Sequence, residues 1–362
     1  MFGPVAGLPP TSWGVRWWHV EVSESQTCLG LLRDCPQQVG ESGGLSEETL
    51  RIAVFGTGAV GGYFGGRLAH AGEDVVFIAR GEQLRALRDQ GLRVTSLKGD
   101  FVVQPAHATG DPSQVGVVDV ILVGVKAWQV PEAAQAMRPL LGPETVVLPL
   151  QNGVEAPSQL AGVLGAGHVL GGLCRIVALV VEPGHVRHAG LEPYVALGEL
   201  DNRPSERAER LRAAFARAGV TVEIPPDVQV ALWVKFLFIA SFSGVGAVTR
   251  APAGVLRTLP ETRHMLEQAM AEVLAVARAR GIALQEESIP RTMALVDNLP
   301  PDGTASMQRD VMAGRPSELE SQNGAVVRLG QQVGVATPLH TFIYRSLLPL
   351  ELRARGRVQF AL

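Results

Sequence analysis

Residues 51–66 read RIAVFGTGAVGGYFGG, a short apolar run that passes directly into Gly56-Thr57-Gly58-Ala59-Val60-Gly61 and then into a helix expected to begin near Tyr63. A GxGxxG turn between a strand and a helix is sterically specified. The first glycine permits the tight turn, the second lets backbone N–H groups approach a pyrophosphate, and the third lets the helix pack closely on the strand. The helix N-terminus then faces the phosphates. In a chain with 41 glycines the spacing alone would carry little weight. The strand before it and the helix after it make it a dinucleotide site.

The pattern around the turn extends this unit. From residue 51 to about 223, apolar runs alternate with helical stretches, which predicts an α/β fold with a Rossmann-type doubly wound parallel sheet. Residues 75–78, 118–125 and 145–150 are continuous Val/Ile/Leu runs, as strands covered on both faces require. Between 169 and 200, short strands punctuated by Gly and Pro suggest a small antiparallel region. A charged amphipathic helix over 204–218 and a last strand over 220–224 lead to Pro225-Pro226, read as a hinge. Beyond it no strand pattern returns. Helices are expected over 227–248, 261–280, 289–296, 317–333 and 338–353, so residues 226–362 form an all-helical domain beside a dinucleotide-binding domain over 51–223, with the active site between them.

Composition narrows the ligand class. A chain of 362 residues suits two domains, each with its own core. A formal net charge of -3 gives no electrostatic reason to expect nucleic acid or an anionic membrane as partner. Cys28, Cys35 and Cys174 are odd in number and lack CxxC spacing, so no disulfide framework or zinc site is indicated and a reducing cytoplasm fits. His185 and His188 fall on opposite faces of a strand, against a shared metal. Residues 232–249 are nearly all apolar but contain Lys235 and barely reach spanning length, so they read as a core helix. Residues 1–50 hold Trp13, Trp17 and Trp18 without sustained periodicity or a secretory pattern. They read as a disordered extension or as translation from an upstream start, a partner-binding Trp cluster being the alternative.

Ligands of open parallel sheets bind beyond the carboxyl ends of the strands. Three polar signals stand at such ends: the glycine turn, Lys126 after the run 120–125, and Gln151-Asn152-Gly153 after the run 146–150. Arg80 closes the second strand, where NAD enzymes usually carry an acid for the ribose 2′-hydroxyl and an arginine favours a 2′-phosphate; the cofactor is expected to be NADPH. Lys235 is the most unusual charge, set in LWVKFLFI with almost no polar face around it. Burial lowers a lysine pKa toward values useful for proton donation. Glu318, expected to open a helix at Ser317, is its candidate partner.

These motifs together resemble the ketopantoate reductase family, the 2-dehydropantoate 2-reductases. The resemblance covers about residues 51–333 and rests on GTGAVGGYFGGRLAHAG, VKAWQV, LPLQNGVEA, and LWVKF with SMQRDVMAGRPSELESQNG, in that order. It implies cofactor binding by the turn from Gly56 to Gly61 (Gly56, Thr57, Gly58, Ala59, Val60, Gly61), by Arg80 and by Lys126, with Asn152 at nicotinamide and substrate. It further implies that Lys235 is the general acid, that Ser306 holds the substrate carboxylate, and that Glu318 stands beside the lysine. Where family members acting on ketopantoate usually present asparagines four and eight residues after the lysine, this chain has Ile239 and Ser243, the latter a substrate-side candidate. The implied activity is NADPH-dependent reduction of a 2-oxoacid, foremost 2-dehydropantoate to pantoate in pantothenate biosynthesis, by a cytoplasmic enzyme and candidate homodimer. The alternatives are a reductase of a less polar 2-oxoacid and, in another class, a non-catalytic NADPH-binding sensor, which would have no use for Lys235 beside Glu318.

Overall fold

The computed structural model describes residues 49–190 and 192–360; the N-terminal stretch with its three tryptophans, Cys28 and Cys35 lies outside the described residues. The chain enters on β1 (Arg51–Phe55) and turns into α1 (Ala59–His70). It continues through β2 (Asp74–Ile78), α2 (Gly81–Gln90), β3 (Leu92–Ser96), β4 (Phe101–Val103), β5 (His107–Thr109), β6 (Val120–Val123), α3 (Val130–Met137), β7 (Val146–Pro149) and α4 (Ala156–Leu164). Four further strands follow, β8 (Leu170–Arg175), β9 (Ala178–Glu182), β10 (His185–His188) and β11 (Tyr194–Glu199), and then α5 (Glu206–Arg217) and β12 (Thr221–Glu223).

The main sheet has the order β5-β2-β1-β6-β7 and every pairing in it is parallel. Strand order reverses between β1 and β6, so the crevice at their carboxyl ends is the place such a sheet offers a ligand. Two apolar layers explain the continuous Val/Ile/Leu runs. Val54 and Leu122 pack with α1 and α5 on one face, while Ala53 and Ile121 pack with α3 and α4 on the other.

The short strands after α4 do not form one antiparallel unit, as expected from sequence, but divide between two mixed sheets. β8 and β11 pair antiparallel and β11 takes β12 as a parallel neighbour. β9 and β10 pair antiparallel, and β10 pairs parallel with β3, some ninety residues earlier in the chain. This second sheet, β4-β3-β10-β9, was not visible in the sequence because its pairings are long-range. Helix α1 also begins at Ala59 rather than near Tyr63, since Gly58 already stands at the N-cap in an extended conformation.

After Pro225-Pro226 the chain is helical: α6 (Val228–Thr249), α7 (Ala253–Thr258), α8 (Pro260–Ala279), α9 (Ser288–Asp297), α10 (Ser306–Met312), α11 (Asn323–Gln332) and α12 (Pro338–Ala354). Asp227 starts α6 by accepting a hydrogen bond from the backbone N–H of Val230 at 3.0 Å. A helix apolar all round needs cover all round. α6 obtains it on most sides from α8, α10, α11 and α12, with 67% of its most apolar window buried inside the protein and one face left toward the cleft. Gly244 and Gly246 admit the side chains of Asn323 and Gln308 against its backbone. Leu232 of α6 packs with Leu173 and Ala196 of the β8–β11 sheet, joining the two halves.

The expected helix from Ser317 starts only at Asn323. Glu351 of α12 accepts from the Ser317 N–H at 3.0 Å and from its hydroxyl at 2.5 Å, which holds 317–322 as a turn. α7 and α10 are the two helices the periodicity did not reveal.

Candidate active site

Three glycines close the floor of the crevice. Gly56 has φ +96 and a Cβ there would lie 2.6 Å from Val125 Cγ1; a Cβ on Gly61 would collide with the Gly56 carbonyl oxygen; a Cβ on Gly124 would stand 2.7 Å from that same oxygen and 2.8 Å from Gly61 Cα. The turn after β1, the start of α1 and the end of β6 therefore touch backbone to backbone. Gly58 is different: a Cβ there meets nothing within 4 Å, and the residue lines the cleft. This combination of a closed floor and an open second glycine fits a dinucleotide pyrophosphate, which needs close approach to backbone N–H groups. Thr57, Ala59 and Val60 also line the cleft, whereas Gly61 lies beneath it and acts through packing. Gly124 was missed from sequence because its need for hydrogen arises from partners outside its own strand.

The cleft has a volume of about 1980 Å³ and runs between the sheet edge and the helical domain. That exceeds the roughly 300–1,000 Å³ typical of a pocket for one small ligand, so there is room for a dinucleotide and a second molecule. At one end Arg80, two residues beyond β2 at the N-cap of α2, forms an ion pair with Glu132 at 3.2 Å. Lys126, just beyond β6, reaches across to Asp310 of α10 at 3.7 Å, and Asp310 is also held by Arg315 at 2.8 Å. At the end of β7, Gln151 donates to the carbonyls of Val123 and Val125, both at 2.9 Å, which ties the two strand ends together and sets the position of Asn152.

Asn152 Nδ2 donates to Glu318 Oε2 at 3.0 Å, a bond that crosses from the sheet to the helical domain. Gln322 Nε2 donates to the same oxygen at 3.3 Å. Glu318 is thus fixed by two amides on a turn, not at a helix start. Among the described residues no ion pair within 4 Å joins it to Lys235, and the expected direct partnership becomes attraction through space.

Lys235 lies on the face of α6 formed by Lys235, Phe238, Ile239 and Phe242, all of which line the cleft. Its side chain is enclosed by protein but keeps a partial opening to the cleft. Desolvation pushes its pKa below the ordinary lysine value; the Glu318 carboxylate pulls it back up, and Arg175 pushes it down again. A lysine so placed gives up its proton more readily than one in water. Burial raises the pKa of the neighbouring Cys174 thiol, so it stays protonated beside the ammonium.

Ser306, the first residue of α10, lines the cleft, and so does Arg309 one turn later. Arg309 donates to the carbonyl and hydroxyl of Thr304, and burial lowers its pKa from the usual arginine value. Sequence reasoning missed Arg309, although its spacing from Ser306 on a helix was the available signal. Ser243 does not line the cleft. It is fully buried, and its Oγ finds no hydrogen-bond partner among the described residues. Eight residues after Lys235 is a rotation of about 80° from it around a helix, which turns Ser243 away from the cleft face.

The chain matches known proteins over nearly the whole of its described length. The model of the family Ketopantoate reductase PanE/ApbA matches residues 52–202, and that of its C-terminal part matches 227–351. A 2-dehydropantoate 2-reductase of Nostoc sp. is 30% identical over 310 residues, covering 84% of this chain and 96% of the relative. The crystal structure of a 2-dehydropantoate 2-reductase from Geobacter metallireducens GS-15 aligns with a TM-score of 0.78 at 31% identity, over 83% of this chain and 99% of that one. A PanE/ApbA family ketopantoate reductase from Ralstonia eutropha JMP134 aligns with a TM-score of 0.77 at 32% identity, over 84% and 99%. The chain is an oxidoreductase with a nicotinamide cofactor, and it belongs to the ketopantoate reductase family.

Proposed function

We propose that this enzyme uses NADPH to reduce a 2-oxoacid to the 2-hydroxy acid, with 2-dehydropantoate as the first candidate substrate. The observation that carries the proposal is the convergence, in one cleft, of Lys235, the Asn152–Glu318 pair and Ser306 with the glycine turn. When bound, the cofactor supplies a hydride from nicotinamide C4. Negative charge then builds on the substrate ketone oxygen, and Lys235 Nζ stabilises that charge and donates the proton. Asn152, held by Glu318, orients the reacting carbonyl, and Glu318 keeps Lys235 protonated over a wider pH range than burial alone would allow. Ser306 receives the substrate carboxylate at the start of α10.

A second reading has its own support. Phe238 and Phe242 stack at 5.4 Å with an interplanar angle of 12°, and with Ile239 they give the substrate end of α6 an apolar wall. A site that lacks the amides for a substrate hydroxyl discriminates weakly in its favour. A 2-oxoacid with an apolar side chain is therefore the competing substrate. Steady-state kcat/KM over a panel of 2-oxoacids with NADPH and NADH separates the two. Good turnover of an apolar 2-oxoacid with none of 2-dehydropantoate would sink the first reading.

A further inference from the structure

Two carboxylates line the cleft among the described residues, Glu318 at the lysine and Glu132 at the opposite end. Glu132 lies in the first turn of α3, and its Oε1 stands 3.2 Å from Arg80 Nη1. Both side chains are largely exposed, at 71% for Glu132 and 72% for Arg80, so the pair contributes little to the fold and opens readily. A carboxylate in the first turn of a helix favours the helix dipole, which accounts for an acid on α3 but not for its aim at Arg80.

Chemistry at this end distinguishes NADPH from NADH. The two differ only at the adenosine ribose, which carries a phosphate of about −1.5 to −2 charge in one and a hydroxyl in the other. A guanidinium donates to the phosphate in a charge-assisted pair, whereas a carboxylate accepts from the hydroxyl and repels the phosphate. Arg80 and Glu132 thus place both recognition elements side by side.

We propose that Glu132 sets the cofactor preference of this enzyme: it neutralises Arg80 and opposes the 2′-phosphate, so that the site admits NADH alongside NADPH. The inference rests on the NADPH reading above and extends it to a residue outside the glycine turn. Without Glu132, Arg80 would be free to take the phosphate and selection for NADPH would sharpen. With Glu132, the ribose hydroxyl of NADH has an acceptor.

The test uses fragments that need no hydride transfer. Calorimetric titration of the full chain with adenosine 2′,5′-bisphosphate and with AMP gives an affinity ratio, to be compared in the native protein and in Glu132→Gln. Removing one like charge at contact distance in water is expected to raise the bisphosphate-to-AMP ratio about fivefold to tenfold, with the gain shrinking at high salt. The rise should come from tighter bisphosphate binding. An unchanged or lowered ratio, with both fragments still bound, overturns the role of Glu132 and leaves the reductase reading intact. Failure of the native protein to bind either fragment overturns the dinucleotide site and this inference with it.

Discussion

Replacing Lys235 with alanine removes the only group on α6 that can protonate a ketone oxygen, and its consequences can be worked from its surroundings. General acid catalysis typically contributes about 10²–10⁴-fold, so the variant should lose about 2.7–5.5 kcal/mol of transition-state stabilisation in kcat/KM. Nucleotide affinity should change little, because the glycine turn and Arg80 belong to the opposite wall. Wild-type activity should fall as pH rises through the lowered lysine pKa, and the variant should lack that limb. Stability should move the other way. The folded-state pKa lies below the unfolded value of 10.5, so between the two the unfolded chain binds more protons. The ammonium therefore costs stability at neutral pH, and Lys235→Met should melt at or above the wild-type temperature. Stopped-flow absorbance of NADPH oxidation, nucleotide titration and thermal melts read these three effects. Turnover within about tenfold of wild type in both variants would refute the assignment of Lys235 as the acid.

Other consequences follow from neighbouring geometry. Gly61→Ala forces a methyl into the Gly56 carbonyl and should destabilise by about 1–3 kcal/mol, seen as a lower melting temperature. Gly58→Ala meets no protein atom within 4 Å, so it should melt like wild type and yet bind NADPH more weakly, measured by nicotinamide fluorescence. Glu318→Gln removes a charge that holds the Lys235 pKa up, so the alkaline limb of the pH–rate profile should shift to lower pH. His340 is fully buried with its pKa lowered to about 4; Asn323 Nδ2 donates to its Nδ1 at 3.0 Å and its Nε2–H donates to the Ala269 carbonyl at 3.0 Å, so the ring is neutral. Its contribution is full above the unfolded value of 6.5 and fades as pH falls toward 4, a loss of up to about 3 kcal/mol that urea melts at a series of pH values can follow. Substituting His340 should flatten that slope.

Legibility in the sequence followed the range of the interaction that fixes each element. The glycine turn was readable because its steric demands act within a few residues, and the runs at β6 and β7 because two apolar layers leave no polar alternation. Gly124, whose need for hydrogen comes from Gly56 and Gly61, was not, and β3 escaped because its neighbour β10 lies far along the chain. The turn at 317–322 read as helix because the group that holds it, Glu351, sits in the last helix. Lys235 stood out in the sequence as a charge without a polar face. Its cleft neighbours Phe238, Ile239 and Phe242 follow from helical spacing alone, and the same spacing argues against Ser243. Glu318 lines the same cleft as the lysine, but its bonds go to Asn152 and Gln322, which only the folded arrangement reveals.

Hydride transfer to the carbonyl carbon of a 2-oxoacid is the central claim, and isotope transfer tests it most directly. The native enzyme would be incubated with NADPH deuterated at the transferred C4 position and a panel of 2-oxoacids headed by 2-dehydropantoate, and the products weighed by mass spectrometry. One deuterium at C2 of the 2-hydroxy acid, matched by stoichiometric loss of absorbance at the nicotinamide band, is the expected result. A protein that binds NADPH but transfers no deuterium to any 2-oxoacid in the panel would contradict it.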